Sequence, residues 1–441
     1  MGSSSSKKQP PVIATCKAPM YCIKKLGGRH ILLGGGGGAA KTGVKNQIEQ
    51  HVLTFAEEAV NNCYMRTKLT YTIDTEKFST MNMDIVSIPG KIGHILAAGH
   101  DEYCDIYETT NNFAEEGSFG INLRLVGRLL TVLAEKSSAA NSEPAYQKCV
   151  RFDKSSHGKK LLTGDSDGYI RVWDIDHLRN DRNPELKRSA TLEFYAHPGT
   201  NDRREKGGVD DIDISSDGRY SFSVGGDNKV ILWDLTVGKK VQELPFPPEL
   251  ETGYRVRSLK FTRLGLEGNN HIFVVAYNSK QRNSKSRCFL GLWAFHRERH
   301  TLQPIVIKSC YQGESISCLT VSPCGNFTGF GTLSGSVAIF DTHELKPLLF
   351  VKETHGIFVT DVEFLDRVVD DCQMTDANNK QIEIPGPAAD CRACLVSLSA
   401  DQTVQVHRLA FEQPPSSTLF LVKLMIFLNI IYYLIWTLAG Y

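Results

Sequence analysis

The sequence predicts an all-β chain, a seven-bladed WD-repeat β-propeller ending in a single C-terminal transmembrane helix. Two observations predict it. One is a strand–turn–strand motif counted seven times, which in five aligned segments runs from a turn residue to a closing ring. The other is an apolar run over residues 419–439.

Four segments align without gaps: DGYIRVW from Asp167, DNKVILW from Asp227, SGSVAIF from Ser334 and DQTVQVH from Asp401; DEYCDIY from Asp101 fits the same frame. Each starts on a turn residue and then places apolar side chains at alternate positions, the period of a strand. The opening Asp or Ser is the type that hydrogen-bonds its own backbone in a tight turn. Upstream of each lies an apolar strand running into Gly or Ser, such as HILAAG, KLLTG and YSFSVGG, and upstream again a second alternating strand such as VDDIDISSDG. Strand, turn, strand, tight turn, strand is the blade of a propeller. Trp173, Trp233 and Trp293 lie at even spacing, and Trp173-Asp174 and Trp233-Asp234 are the dipeptide that names the repeat. Third strands are expected near 47–53, 102–107, 169–174, 229–234, 288–294, 336–341 and 403–409, with residues 11–15 as the strand that closes the ring. Residues 111–145 read as an outer strand plus a long surface connection.

The domain plan follows. Residues 1–10 form a disordered polar leader, 11–410 the propeller, 411–418 a short linker with Pro414-Pro415, and 419–439 the transmembrane helix. The last segment, LFLVKLMIFLNIIYYLIWTLA, has the length of about 20 apolar residues that a span needs. Lys423 lies near its start, while Tyr432, Tyr433 and Trp436 suit an interface. With only Gly440 and Tyr441 beyond it, the propeller is expected to face the cytosol and the C-terminus the lumen, so Asn326-Phe327-Thr328 is a chance glycosylation match. Gly2 and Ser6 fit a myristoylation pattern, which a polar leader would also produce.

Charge is nearly even, with 50 Lys+Arg against 49 Asp+Glu, which argues against nucleic-acid binding through a broad basic surface. The 12 cysteines are scattered at single strand positions, a pattern of buried thiols in a reducing compartment. Cys391-Arg-Ala-Cys394 has no second pair to complete a zinc site. His197 and Asp217 suit blade turns, and no hydrolytic residue is assigned.

The first repeat breaks the pattern. Its strand His30–Leu33 meets Gly34 to Gly38 and then AAKTGVKN before another strand resumes near Ile48. Five consecutive glycines are entropically expensive to order, whereas a turn needs one or two. Such a run permits close approach to a partner, φ > 0, or carbonyls converging on a cation. Gly35-x4-Ala40-Lys41-Thr42 falls one residue short of the phosphate loop: alanine replaces its second glycine, and VKNQIEQHVLTF reads as a strand rather than a helix.

On these residues a resemblance becomes specific. GGGGAAKTGVKN at 35–46, DGYIRVWD at 167–174, ISCLTVSPCGNFTGFGTLSGSVAIFD at 316–341 and HGIFVTDVEFL at 355–365 resemble segments of the prolactin regulatory element-binding protein family. With the apolar tail, the similarity covers most of the chain in order; the leader and residues 111–145 and 366–390 fall outside it. The family's members are membrane-anchored guanine nucleotide exchange factors. They activate the SAR-family small GTPase at the endoplasmic reticulum membrane and so start coat protein complex II assembly.

The resemblance implies the same activity here, without covalent chemistry. It implies a structural potassium ion in the loop, a SAR-family GTPase and the endoplasmic reticulum membrane as partners, and coat components as further partners. DNA binding, which the family's name invokes, is opposed by the even charge, the absence of a recognisable helical reader and the expected anchor, so no nucleic acid is expected. The candidate metal-holding residues are Gly35, Gly36, Gly37, Gly38 and Asn46. Val44, the sizeable apolar residue of the loop, is the candidate for insertion into the GTPase, with packing against the first blade as its bland reading. Val44 and Asn46 are the candidate catalytic pair. Lys41, Thr42, Gly43 and Lys45 are the other candidate partner contacts, although solvated lysines are the favoured reading of Lys41 and Lys45. The rival reading is a non-catalytic membrane-tethered scaffold, which would not need the loop.

Overall fold

The computed structural model describes residues 9–438, apart from 40–42, 61–62, 89–92, 114–118, 133–144, 180–184, 199–206, 265–269, 282, 376–380 and 413–416. Most of the expected leader and part of the 111–145 connection therefore lie outside the described residues.

Seven antiparallel sheets follow one another along the chain. The first blade comprises Met20–Leu26, His30–Gly35, Gln47–Val60 and Cys63–Asp74. The seventh comprises Val359–Phe364, Ala393–Ser399 and Thr403–Leu409, completed by Val12–Thr15 from the start of the chain. That closure ties the start of the chain into its last blade. All seven expected third strands are present, from Gln47–Val60 to Thr403–Leu409. Two additions carry no repeat signal. Glu185–Lys187 joins the second blade in parallel with Phe119–Leu130, and Val368–Thr375 pairs with Gln381–Pro385 inside the 366–390 insertion.

Most second strands are buried along their length, as in His94–Gly99, Tyr220–Gly225 and Phe327–Thr332. Their apolar side chains fill the spaces between neighbouring blades, so the core is a set of inter-blade clusters rather than one central mass. The axis is instead polar. Inner strands leave backbone N–H groups facing the channel, and carboxylates of the adjacent blade accept them. Asp84 accepts from Phe152 N at 2.7 Å, Asp213 from Phe261 N at 2.7 Å and Asp361 from Ile23 N at 3.1 Å. A buried donor left unmade costs about 1–3 kcal/mol, so each carboxylate staples one blade to the next.

The repeat histidines are clamps. His197 Nδ1 lies 3.0 Å from Asp227 Oδ1, its Nε2 lies 2.8 Å from Ser223 Oγ, and Trp233 Nε1 donates to the same hydroxyl at 2.9 Å. Acid, imidazole and hydroxyl mimic a hydrolytic triad, but His197 is fully buried and the hydroxyl is held by both rings. In the seventh blade His407 stands where Trp233 stands, meeting Ser397 Oγ at 2.8 Å, while His355 holds the same hydroxyl at 2.7 Å. Burial, with His355 beside it, pushes His407 down to about 3. An unfolded histidine titrates near 6.5, so the stability held by neutral His407 is complete above pH ~6.5 and erodes as pH falls towards 3. Urea titrations of wild type and His407→Gln between pH 7 and 4 should therefore diverge, wild type losing up to about 1.4 kcal/mol more per pH unit. Parallel slopes would contradict the assignment.

One expectation is corrected. Among the described residues no helix is long and apolar enough to cross a membrane. Residues Ser417–Leu438 form the C-terminal α-helix. The fold is a seven-bladed propeller with a short C-terminal helix, and the transmembrane assignment for 419–439 is withdrawn.

Candidate functional site

The glycine-rich loop emerges between the second and third strands of the first blade. Pairing brings Gly35 opposite Gln47 and Gly34 opposite Ile48, so residues 36–46 leave the sheet as one excursion. No helix follows the glycines; the strand Gln47–Val60 does, which removes the dipole-bearing N-terminus a phosphate loop requires.

The base of the loop is tied at both ends. Gly36 N donates to Pro19 O at 2.9 Å, and Ser79 Oγ donates to Gly36 O at 3.4 Å. Asn46, 5% exposed, spans the excursion: its Oδ1 accepts from Gly38 N at 2.8 Å, and its Nδ2 donates to Gly38 O at 3.2 Å and to Glu76 O at 3.1 Å. Its own carbonyl accepts from Thr75 N at 3.1 Å. A single buried side chain thus closes the loop and fastens it to the 75–79 turn.

The glycines make this closure sterically possible. A Cβ on Gly36, whose φ is +139°, would sit 2.2 Å from Asn46 Oδ1, and one on Gly35 would sit 2.2 Å from Pro19 O. Gly35, Gly36, Gly37, Gly38 and Asn46 are therefore gathered at one place. Gly43, Val44 and Lys45 project from it, with Val44 37% exposed. Lys41 and Thr42 lie outside the described residues. The oxygens gathered at the base are neutral carbonyls and an amide. Among the described residues, no three His, Cys, Asp or Glu come together to hold a metal.

Thr75, Glu76, Ser79 and Pro19 were not anticipated. They are separated from their loop partners by enough sequence that no local pattern marks them, although Glu76 adopts φ +59°, turning its carbonyl towards Asn46. The described cysteines form no disulfide, and most are buried.

The model for the WD domain, G-beta repeat, matches residues 145–174 and 192–234. The Rattus norvegicus protein "Guanine nucleotide-exchange factor SEC12" is 34% identical over 357 residues, covering 74% of this chain and 76% of the relative. The chain belongs to the SEC12 guanine nucleotide-exchange factor family. The Mus musculus SEC12 protein is 33% identical over the same length, again covering 74% of this chain and 76% of the relative. A more distant likeness, 27% over 148 residues, links 32% of the chain to 17% of "WD repeat-containing protein 91" of Xenopus tropicalis. Membership of the SEC12 family makes this chain a nucleotide-exchange factor, whose partner is a small GTPase. The tied glycine-rich loop is the feature that the propeller repeat does not explain and an exchange factor can use.

Proposed function

We propose that this chain activates a SAR-family small GTPase at the endoplasmic reticulum, starting coat protein complex II assembly, and that the Gly34–Asn46 loop drives nucleotide release. The observation that carries the reading is the closure of the loop by Asn46 with Val44 exposed beyond it.

An exchange factor must bind the nucleotide-free GTPase more tightly than the loaded form; equal affinity for both shifts nothing. Five glycines ordered only on contact would spend that difference on entropy. Ordering the loop beforehand keeps it for the GTPase. Asn46 and the 75–79 turn hold the base, Val44 inserts beside the nucleotide site, and Gly43 and Lys45, with Lys41 and Thr42, border the contact.

Neutral oxygens are the donors suited to a large monovalent cation. The carbonyls of Gly35 to Gly38 and Asn46 Oδ1 supply them, and a carbonyl oxygen carries two lone pairs, so one hydrogen bond does not exhaust it. A potassium ion bound there would add stiffness where Asn46 does not reach.

Release of fluorescent GDP from a SAR-family GTPase tests this. Exchange should be faster in potassium than in lithium at equal ionic strength, and Val44→Ala should lower the saturating rate about tenfold or more. Equal rates in both salts would remove the ion from the mechanism. A normal rate for Val44→Ala would remove the wedge.

A further inference from the structure

The turn that joins the sixth and seventh blades emerges on the same face as the loop and exposes two adjacent apolar side chains, Ile357 at 44% and Phe358 at 42%. We propose that this pair is a second docking contact for the small GTPase, gripping it beside the loop. The proposal rests on the loop being the exchange element.

The pair is rigidly presented. Ser399 Oγ donates to Phe358 O at 2.9 Å and to Ile357 O at 3.4 Å. Gly356 N donates to Asp401 Oδ2 at 2.9 Å, and Val359, the next residue, is fully buried. A Cβ at Gly335 would lie 2.7 Å from Ile357 O, so the turn rests directly on the sixth blade. Apolar anchors held before binding lose little entropy when covered.

Its place next to the loop follows from the ring closure. The inner strands Val359–Phe364 and Met20–Leu26 are neighbours, and Thr360 Oγ1 donates to Met20 O at 3.3 Å. Pro19, the preceding residue, accepts from Gly36 N at the loop base. From Phe358 to the glycines is thus a chain of two hydrogen-bonded steps across one blade boundary. On the loop's other side the 75–79 turn leads to Met81, 45% exposed. The loop rises between apolar groups of the second and seventh blades.

Size also favours a shared footprint. A stable complex buries about 800 Å² on each partner, using ~20–30 residues, more than the loop offers. Rigid aromatic and aliphatic anchors near the centre of such a footprint carry most of its energy. The loop and the pair would divide the work, one opening the nucleotide site and the other holding the GTPase while it opens.

The division is measurable with the full chain and a SAR-family GTPase carrying fluorescent GDP. Ile357→Ser, Phe358→Ser and the double variant should raise the GTPase concentration needed for half-maximal exchange, about tenfold for the double. Their saturating rate should stay near wild type. Val44→Ala should do the reverse. Val237→Ser, at a 61% exposed site in a turn on the opposite face, should change neither. Melting temperatures establish that each variant is folded, and the single variants decide the matter if the double is not. Unchanged half-saturation in folded variants, with Val44→Ala slow, overturns the docking contact and leaves the loop standing. If Val44→Ala is also normal, both readings fall. A changed oligomeric state with unchanged exchange would assign the pair to self-association and equally overturn the proposal.

Discussion

Replacing Asn46 with alanine is expected to slow nucleotide release by about 10- to 100-fold while leaving the propeller folded. The substitution deletes the acceptor for Gly38 N and the donors to Gly38 O and Glu76 O in one step. Each such bond contributes about 1 kcal/mol, and the greater loss is the preorganisation they maintain together. The strand that follows keeps its own ladder from Gln47 onwards, so the melting temperature should move little. Gly36→Ala is expected to act in the same direction, because its Cβ would displace the Asn46 amide and its φ of +139° suits only glycine. Asn46→Asp keeps an acceptor but loses both donors and places a charge against two carbonyls, so it should not rescue. Stopped-flow exchange beside thermal melts reads both effects. A wild-type rate in folded Asn46→Ala would mean that loop closure has no part in exchange.

The largest expected loss of stability is at Asp211, on the channel-facing strand of the fourth blade. Its carboxylate accepts from Lys260 Nζ at 2.6 Å, Arg151 at 3.3 Å and Ser258 Oγ at 2.5 Å, joining the third, fourth and fifth blades. Removing this carboxylate takes from Lys260 and Arg151 their nearest anionic partner in the channel, and Asp211→Ala should cost about 3–5 kcal/mol in urea unfolding. Burial alone would raise this carboxyl, but Lys260, Arg151 and Ser258 hold it down at about 2. An unfolded aspartate titrates near 3.9. The stability it supplies is therefore complete above pH ~4 and disappears as pH falls towards 2, a loss that Asp211→Ala should not show. A variant as stable as wild type at pH 7 would mean that the blades do not depend on this staple.

Much of the fold was legible because a propeller blade is a local object. A turn residue, alternating apolar positions and a closing ring recur in most blades, and the third strands of those blades could be located from these signals alone. His407 shows the limit. The repeat alignment placed a ring there, yet only the packed structure pairs it with Ser397 and His355 and drives its protonation down. The 366–390 segment and the connection after Asp174 carry no repeat, so the hairpin Val368–Pro385 and the strand Glu185–Lys187 left no signature that period counting detects. The apolar tail misled in a simpler way. Composition registers every residue of 419–439, yet among the described residues no helix is long and apolar enough to cross a membrane.

For the candidate site, the sequence by itself determined that the first blade carries an excess of glycine no turn needs, with one apolar residue and one asparagine in reach. Those are properties of composition and spacing, and they survive without coordinates. Only the tertiary structure decided that Asn46 turns inward to tie the loop, that Pro19 and the 75–79 turn receive it, and that Ile357 and Phe358 stand across the neighbouring blade boundary. The physical reason is closure of the ring. It sets residues more than three hundred positions apart side by side, and neither periodicity nor propensity carries information over that distance.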